Sequence, residues 1–411
     1  MTRKMKDSGI EWIGMIPEGW DRIRLRYLCT IETGNMDTQD ADSEGIYPFY
    51  VRSPNIEKSS KYTFQGEGII VAGDGVGAGR VFHHAFGEYG VHQRCYRLSN
   101  FNGINPDFLF YYISNMFPNI MDYGSAQSTV PSIRLFMLQD FPVYIPLRTT
   151  QPRIVAYLDA KCAEIDALIA AKEKSNALLK EYRQSIIFEA VTKGLDPNAP
   201  MKDSGIEWIG MIPEGWGLER LKYHAVLNPN IVLPSLSDDS DVTFIPMDHL
   251  KKGYHMKSTT TYEKVKKGYV IFENNDILMA KVTPCLENGN LAIASQLING
   301  IGFGSTEINV IRCKCIENKY LYYLLQCDGY INKATYEMYG VAGLKRLDPS
   351  FIPNSLIPIP PQSDQQRIVS FLDAKCAEID ALIAANDKTI SQLREYRQSV
   401  IFEAVTGKME V

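Results

Sequence analysis

Sixteen residues, MKDSGIEWIGMIPEGW, run from Met5 to Trp20 and recur unchanged from Met201 to Trp216. A longer repeat follows each copy. RIVAYLDAKCAEIDALIAAKEKSNALLKEYRQSIIFEAVT begins at Arg153, and RIVSFLDAKCAEIDALIAANDKTISQLREYRQSVIFEAVT begins at Arg367; the two align without a gap. The chain therefore reads as phrase, variable block and long segment, twice over. Its halves, about 5–196 and 201–411, are tandem copies joined by LDPNAP (Leu195 to Pro200), whose prolines and Asn suit a turn. A period of about 200 residues is a domain duplication, not a solenoid, and duplication predicts pseudo-two-fold symmetry.

The long segments read as helices. Arg153 to Thr192 contains no Pro or Gly and is rich in Ala, Leu, Lys, Glu and Gln. Apolar residues recur at helical spacing: Leu158, Cys162, Ile165, Ile169, Leu179 and Ile186 in the first copy. In the second they are Leu372, Cys376, Ile379, Ile383, Ile390, Leu393 and Val400. Such a stripe is a coiled-coil seam, and Gly194 and Gly407 stand where helix stops belong. A 40-residue helix is about 60 Å long. One apolar stripe on a helix of that length needs a partner, and the chain order makes the other copy an antiparallel one. Polar residues interrupt the stripe at Lys172, Asn176 and Asn386; they either set the register or face solvent where the stripe drifts. The charged faces repeat too, Asp159, Lys161, Glu164 and Asp166 matching Asp373, Lys375, Glu378 and Asp380. With EYRQS and FEAVT identical in both copies, two readings stand: recent duplication, or two equivalent docking faces for two copies of one partner.

The blocks 21–150 and 217–362 align poorly, and each reads as mixed α/β. GIIVAG and RVFHHAF are strand-like and FLFYYISNMF helix-like; VTFIPM, YVIFE, DILMAKV and INVIRC are strand-like and YLYYLLQ helix-like. Pro-rich exits, FPVYIPLRTTQP and FIPNSLIPIPPQ, lead into the long helices as edges. GDGVGAGR (Gly73 to Arg80) fits G-x-G-x-x-A, but a strand-like run follows it where a dinucleotide fold needs a helix. No G-x-x-x-x-G-K-S/T occurs. The eight cysteines form no C-x-x-C pair and read as packed thiols; Cys313 and Cys315, two apart, are expected on one face of a strand. His83, His84 and His92 lie close together with no Cys or carboxylate at ligand spacing beside them, so no metal is expected. No apolar run approaches the ~20 residues of a membrane helix. MTRKMKDSGIEW lacks the apolar core of a signal peptide. A cytoplasmic protein with no membrane partner is expected.

The net charge of −5 argues weakly against nucleic acid. The first block has eleven Lys+Arg against thirteen Asp+Glu and the second fifteen against fourteen, so neither is basic overall. Local groups carry the DNA-binding expectation instead. Arg and Gln beside turns are residue types that read base edges. Arg80, Gln93, Arg94, Gln127 and Arg134 are the candidates in the first block, and Lys251, Lys252, Lys281, Lys345 and Arg346 in the second.

The layout as a whole resembles the specificity subunit of type I restriction–modification systems. The resemblance rests on GIEWIGMIPEGW before each block and on IPxP-like exits followed by QQRIVSFLDAK. It rests further on the repeated helix ending in EYRQSVIFEAVTGK, and covers nearly the whole chain. DILMAKVTPCLENGN with GFGSTEINVIR, and GIIVAGDGVGAGRVF, look like strands of that family's target recognition domains. The first copy departs at RTTQPRIV, where Pro152 replaces the usual acidic-Gln run.

The resemblance implies an α/β (α+β) fold: two target recognition domains separated by two long antiparallel coiled-coil helices. The implied domains are 1–150, 151–196 (helix), 197–362 and 363–411 (helix). Each recognition domain would read one half of a bipartite, asymmetric double-stranded DNA site, and the helices would set the spacing, half-sites about 34 Å apart lying on one face of the duplex. The implied partners are two methylation subunits carrying S-adenosylmethionine and motor-nuclease subunits using ATP and Mg; this chain itself would carry no cofactor and no catalysis. Two rivals differ in kind. A stand-alone adenine methyltransferase needs a cofactor-binding βα unit and an Asp/Asn/Ser-Pro-Pro-aromatic motif, and the only Pro-Pro is followed by Gln362. A coiled-coil adaptor with no DNA role would show no DNA binding in a gel shift. The repeated phrase is expected to brace each recognition domain close to where the opposite helix ends.

Overall fold

A computed structural model describes residues 3–123, 131–341 and 343–411. The chain is α/β and divides into two compact units, Met1–Glu173 with Asn386–Val411, and Lys174–Ala385. The long helices are Gln151–Lys193 and Gln362–Val405. Each unit thus holds one variable block, the start of the helix that leaves it and the end of the other helix. Among the described residues no helix is long and apolar enough to cross a membrane.

In the first unit the repeated phrase is a hairpin in which Met5–Asp7 pairs antiparallel with Met15–Pro17. Lys6 Nζ donates across it to the carbonyls of Glu18 and Trp20 at 2.8 and 2.7 Å. The next strand, Asp21–Arg24, pairs with the Pro-rich exit Pro142–Ile145, so the two ends of the variable block meet in a two-stranded ladder. Pro is tolerated there because an edge does not need its missing N–H. Between these ends lie two four-stranded sheets. One has the order Thr30–Thr33, Cys95–Ser99, Gly68–Ala72, Phe82–Ala85; the other Glu57–Ser59, Tyr47–Tyr50, Glu88–Val91, Phe64–Gln65. Phe108, Leu109, Tyr112, Ile113, Met116 and Phe117 lie on one face of helix Pro106–Tyr123 and pack on Ile69, Val71 and Leu98 of the first sheet. No helix follows the Gly-rich turn, since Phe82–Ala85 is a strand.

The first long helix begins with Pro152 in its first turn, where a missing N–H costs nothing. Gln151, 1 % exposed, clamps this start: its Oε1 accepts from Asn105 N at 2.6 Å and its Nε2 donates to Pro146 O at 3.2 Å. Leu158 and Cys162 enter the same core as Val400, Ile401, Ala404 and Val405 of the second helix. These positions of the expected seam therefore lie in the core of the first unit. Further along, Ile165, Ile169, Ile390 and Leu393 form a separate cluster between the helices. Their pairing is antiparallel, with Asp166 Oδ1 2.9 Å from Arg397 Nε and Glu173 Oε1 2.9 Å from Arg394 Nη2. The second helix stops at Gly407 (φ 68°), against the repeated phrase. A Cβ there would stand 2.6 Å from the Pro17 ring and 2.8 Å from Trp20, so the close approach requires glycine.

The second unit repeats this frame. Lys202 Nζ donates to the carbonyls of Glu214 and Trp216 at 2.8 and 2.7 Å, and Gly217–Arg220 pairs with Leu356–Ile359. Gln365 accepts from Glu317 N at 2.7 Å and donates to Pro360 O at 2.8 Å, as Gln151 does in the first unit with its own neighbours. The sheet orders are Ala225–Leu227, Ile308–Cys313, Ile277–Ala280, Leu291–Ile293, and Ser258–Thr261, Asp241–Ile245, Ile301–Gly304, Val270–Glu273. They match the first unit strand for strand although the two blocks align poorly. A strand buried on both faces needs only apolar residues, so Gly68–Ala72 and Ile277–Ala280, both fully buried, need not share identities.

In this unit Leu372 and Cys376 share a core with Ile187, Ala190 and Val191. Ile379 is also buried. The expected stripe is corrected at its end: Ile187 is fully buried and Ile186 only half-buried, as are Leu179 and Ile383. A straight helix drifts ~20° per heptad from a strict seven-residue repeat, which moves the buried face on by a residue over such a length. Strand Ile308–Cys313 ends before Cys315, so these two cysteines do not share a strand face.

Part of the match between the charged faces has a structural origin. Asp159 accepts from Tyr111 OH at 2.7 Å, and its counterpart Asp373 accepts from Tyr323 OH at 2.8 Å. Arg397 meets Asp166 in the first unit, and Arg183 lies 3.7 Å from Asp380 in the second.

Candidate nucleic-acid interface

Three chain segments converge where the central strand of the larger-core sheet ends, and they do so alike in both units. In the first unit Gly73 N donates to Arg94 O at 2.9 Å, and Ile133 N donates to Gly73 O at 2.7 Å. In the second, Lys281 N donates to Glu307 O at 3.1 Å and Leu347 N donates to Lys281 O at 2.8 Å. Isolated bridges Asp74–Ser132 and Val282–Arg346 close the same corner. The backbone therefore equates Gly73 with Lys281, Asp74 with Val282, Arg94 with Glu307 and Ser132 with Arg346.

The side chains at this corner differ in kind. In the first unit Asp74 is bracketed by Arg94 Nη1 at 2.7 Å and Arg52 Nη1 at 2.8 Å. Partial burial pushes its carboxyl up, but hydrogen bonds and charge from both guanidinium groups outweigh that and hold it below the ordinary carboxylate range. The Arg94 side chain remains 61 % exposed. Each guanidinium has five N–H donors in a planar fork, so the bond to Asp74 fixes its direction and leaves donors for a second acceptor. A cavity of about 340 Å³ lies beside the cluster, lined by Thr38, Arg52, Asp74, Val76 and His92 among others, with Val76 94 % exposed at its rim. His92 is held neutral-leaning by burial and by the charge of Arg52.

In the second unit an acid takes the place of Arg94, and the base stands at the place of Ser132. Glu307, at the position of Arg94, takes Arg346 Nη2 at 2.5 Å. Arg346 sits on a hairpin, Met338–Val341 paired with Leu344–Leu347, that carries exposed Tyr339, Val341, Leu344 and Lys345. Lys281 is half-buried below it, and burial lowers its pKa; the charge of Glu307 opposes that shift and the charge of Arg346 adds to it. The two corners thus present different patterns of donors and apolar surface on one backbone plan. Arg forks and exposed apolar groups on turns are the chemistry that contacts base edges and thymine methyls in a major groove.

Of the residues expected to contact DNA, Arg94, Lys281, Lys345 and Arg346 meet at these corners. Gln93, exposed, adjoins Arg94 and ties its own N–H to Met36 O at 2.7 Å. Arg134, exposed, directly follows Ile133. Gln127 lies outside the described residues. Arg80 lines a separate cleft of about 740 Å³ with Trp12, Tyr111, Asn115, Arg397 and Phe402. Lys251 and Lys252 lie on a loop against Leu291, and Lys252 Nζ is 3.8 Å from Asp328. Sequence reasoning missed Arg52, Asp74 and Glu307. It also missed the carboxylates around His84, whose Nε2 is 3.0 Å from Glu67 and whose Nδ1 is 3.5 Å from Asp107. That corrects the expectation of no acid beside the histidines: strand pairing and helix Pro106–Tyr123 bring the two acids to opposite nitrogens of one ring, which is stacked on Phe110.

Comparison with known proteins supplies the family. Residues 17–179 and 228–392 match the family described as type I restriction modification DNA specificity domain. The chain is 22% identical over 417 residues to the EcoDI specificity subunit of Escherichia coli, covering 96% of this chain and 90% of that protein. A stretch of 163 residues is 39% identical to the EcoAI specificity subunit of Escherichia coli; it covers 38% of this chain and only 27% of that relative. A solved structure concerned with complex assembly and conformational transition of the type I R-M system shares the fold, with a TM-score of 0.69 at 16% identity, covering 96% of this chain and 99% of that one. With both repeats matched, the chain belongs to the type I restriction modification DNA specificity family.

Proposed function

We propose that this chain is the non-catalytic, sequence-reading subunit of a type I restriction–modification complex, acting in the cytoplasm. Each unit reads one half of a bipartite, asymmetric site in double-stranded DNA. The long helices set the spacing of the halves and dock two methylation subunits. Restriction/motor subunits join through the complex. S-adenosylmethionine, ATP and Mg belong to those partners, and this chain contributes position.

The observation that carries this reading is the pair of corners. Equivalent backbone hydrogen bonds and bridges hold Asp74 and Arg94 in one unit and Lys281, Glu307 and Arg346 in the other, and Arg52 joins the first group through its side chain. A framework required only for stability has no need of an acid in one unit where the other carries a base. Docking is supported by what the framework leaves unexplained on the helices. Tyr182 and Tyr396, and Leu168 and Leu382, are identical pairs with half or more of their surface exposed in most cases (56, 54, 49 and 50 %). Equivalent exposed apolar groups on two copies suit two copies of one partner. The modest net charge fits as well, since methylation subunits that clamp the duplex would supply phosphate contacts.

The test is a gel shift with purified complex against the methylation subunit alone. Tight, sequence-dependent binding by the complex is expected. Equal binding by the methylation subunit alone would overturn the reading.

A further inference from the structure

Of the eight cysteines only Cys315 is exposed, and it is not alone. Its Sγ lies 3.4 Å from His224 Nδ1, and His224 Nε2 lies 2.9 Å from Glu219 Oε2. The acceptor-only carboxylate requires the proton on Nε2. The lone pair of the neutral ring is then on Nδ1, facing the thiol. A thiol, a base and a carboxylate that orients the base is the arrangement that generates a nucleophile. The imidazole is well enclosed, its side chain 11 % exposed, while Glu219 is open.

The first unit shows that the frame does not need these groups. Asn102 N donates to Leu28 O at 2.8 Å, just as Lys314 N donates to His224 O at 2.8 Å. Asn105 N and Glu317 N are bonded alike to Gln151 and Gln365. Strands Asp21–Arg24 and Gly217–Arg220 hold equivalent registers, Ile23 opposite Val143 and Glu219 opposite Ile357. So Ile23, Leu28 and Gly103 occupy the places of Glu219, His224 and Cys315. Three groups incapable of acid–base chemistry in one copy are replaced together by a hydrogen-bonded triad in the other.

We propose that Cys315 is an activated thiol that exchanges with low-molecular-weight disulfides, with His224 as its base and Glu219 as the residue that positions His224. His224 Nδ1 takes the proton from Cys315. The thiolate attacks one sulfur of the small disulfide, a new S–S bond to Cys315 forms as the old one breaks, and the departing thiolate takes the proton from the imidazolium. Cys315 is oxidised to a mixed disulfide and half of the small molecule is reduced to a thiol. The neighbouring thiol does not compete: burial pushes Cys313 up to about 12. The charged and titratable groups around the triad are Lys222 and Tyr223 on the turn before His224, and Cys313, Lys314 and Glu317 on the segment bearing Cys315.

The test uses the full chain and dithiobis(nitrobenzoate), an aromatic disulfide whose leaving thiolate is coloured. One fast-reacting thiol is expected, absent in Cys315→Ser. His224→Leu, which installs the first unit's residue, should slow that phase about tenfold near neutral pH. Its rate should then climb with pH like that of an ordinary thiol of pKa about 8.5. Glu219→Gln, on the exposed edge, should slow it less, and unchanged circular dichroism would show both variants folded. A fast phase that survives in Cys315→Ser, or a Cys315 rate and pH profile unaffected by both His224→Leu and Glu219→Gln, would overturn the proposal. Neither result depends on DNA binding.

Discussion

Lys172 Nζ donates to Asn386 Oδ1 at 3.1 Å, and these residues, 214 positions apart, are the same position of the two helical repeats. In an antiparallel pair, equivalent residues of the two repeats meet at one level only. Both are polar in an otherwise apolar stripe, and Asn386 is 9 % exposed. Polar residues at such positions fix register at a cost in stability. Replacing both by Leu is therefore expected to stabilise the chain by about 1 kcal/mol while loosening the pairing. Thermal unfolding of the double variant checks this, and a lower Tm would contradict it.

Ile165 is 3 % exposed and packs with Ile169 and Ile390. Ile165→Asp places a charge without a partner in that cluster and should cost about 3–5 kcal/mol. Ile379→Asp, 4 % exposed, should behave alike. Leu168→Asp, on the exposed side of the same helix, should change stability by less than about 0.5 kcal/mol yet weaken the complex with the methylation subunit. Urea midpoints and sedimentation of the complex separate the two effects. An unchanged complex with Ile165→Asp would show that the seam is misplaced.

Arg94→Ala and Arg346→Ala should each weaken specific binding by about 1–3 kcal/mol and relax the recognised sequence. The two variants should relax different halves of the site. Selection from a randomised duplex pool reads this directly; relaxation of the same half by both would be incompatible with one corner per half-site.

His83 Nε2 donates to Ser53 O at 3.0 Å, and burial lowers its pKa from 6.5 although that hydrogen bond opposes the shift. In the unfolded chain the ring gains a proton near 6.5, and in the folded chain only at a lower pH. Its contribution to stability is therefore complete above pH 6.5 and lost as pH falls from 6.5 toward the lowered value. The urea midpoint should drop between pH 7.5 and pH 5.5 by about the amount one such group allows, and the drop should be smaller in His83→Gln. An identical drop in the variant would show that other groups carry it.

The frame was legible because its residues are repeated and its helices are periodic. Leu158, Cys162, Ile165 and Ile169 announce a buried face from spacing alone. The two corners were only half legible. Arg94, Lys281 and Arg346 stand beside turns and could be named, but Asp74 sits in a Gly-rich turn that draws attention to its backbone. Arg52 lies 22 residues before Asp74, and only sheet pairing brings them together. A strict heptad reading places Ile186 on the seam and cannot follow the drift of a 43-residue helix to Ile187. The Cys315–His224 contact joins residues 91 positions apart and left no local pattern to find.

The central claim is that each unit reads its own half of the DNA site. The most direct measurement is methylome sequencing of a host expressing this chain with its methylation subunit, compared with a chain in which residues 21–150 are exchanged for another family member's block. The expected result is a bipartite modified sequence in which the exchange alters one half and leaves the other half unchanged. A change in both halves, or in neither, would contradict it.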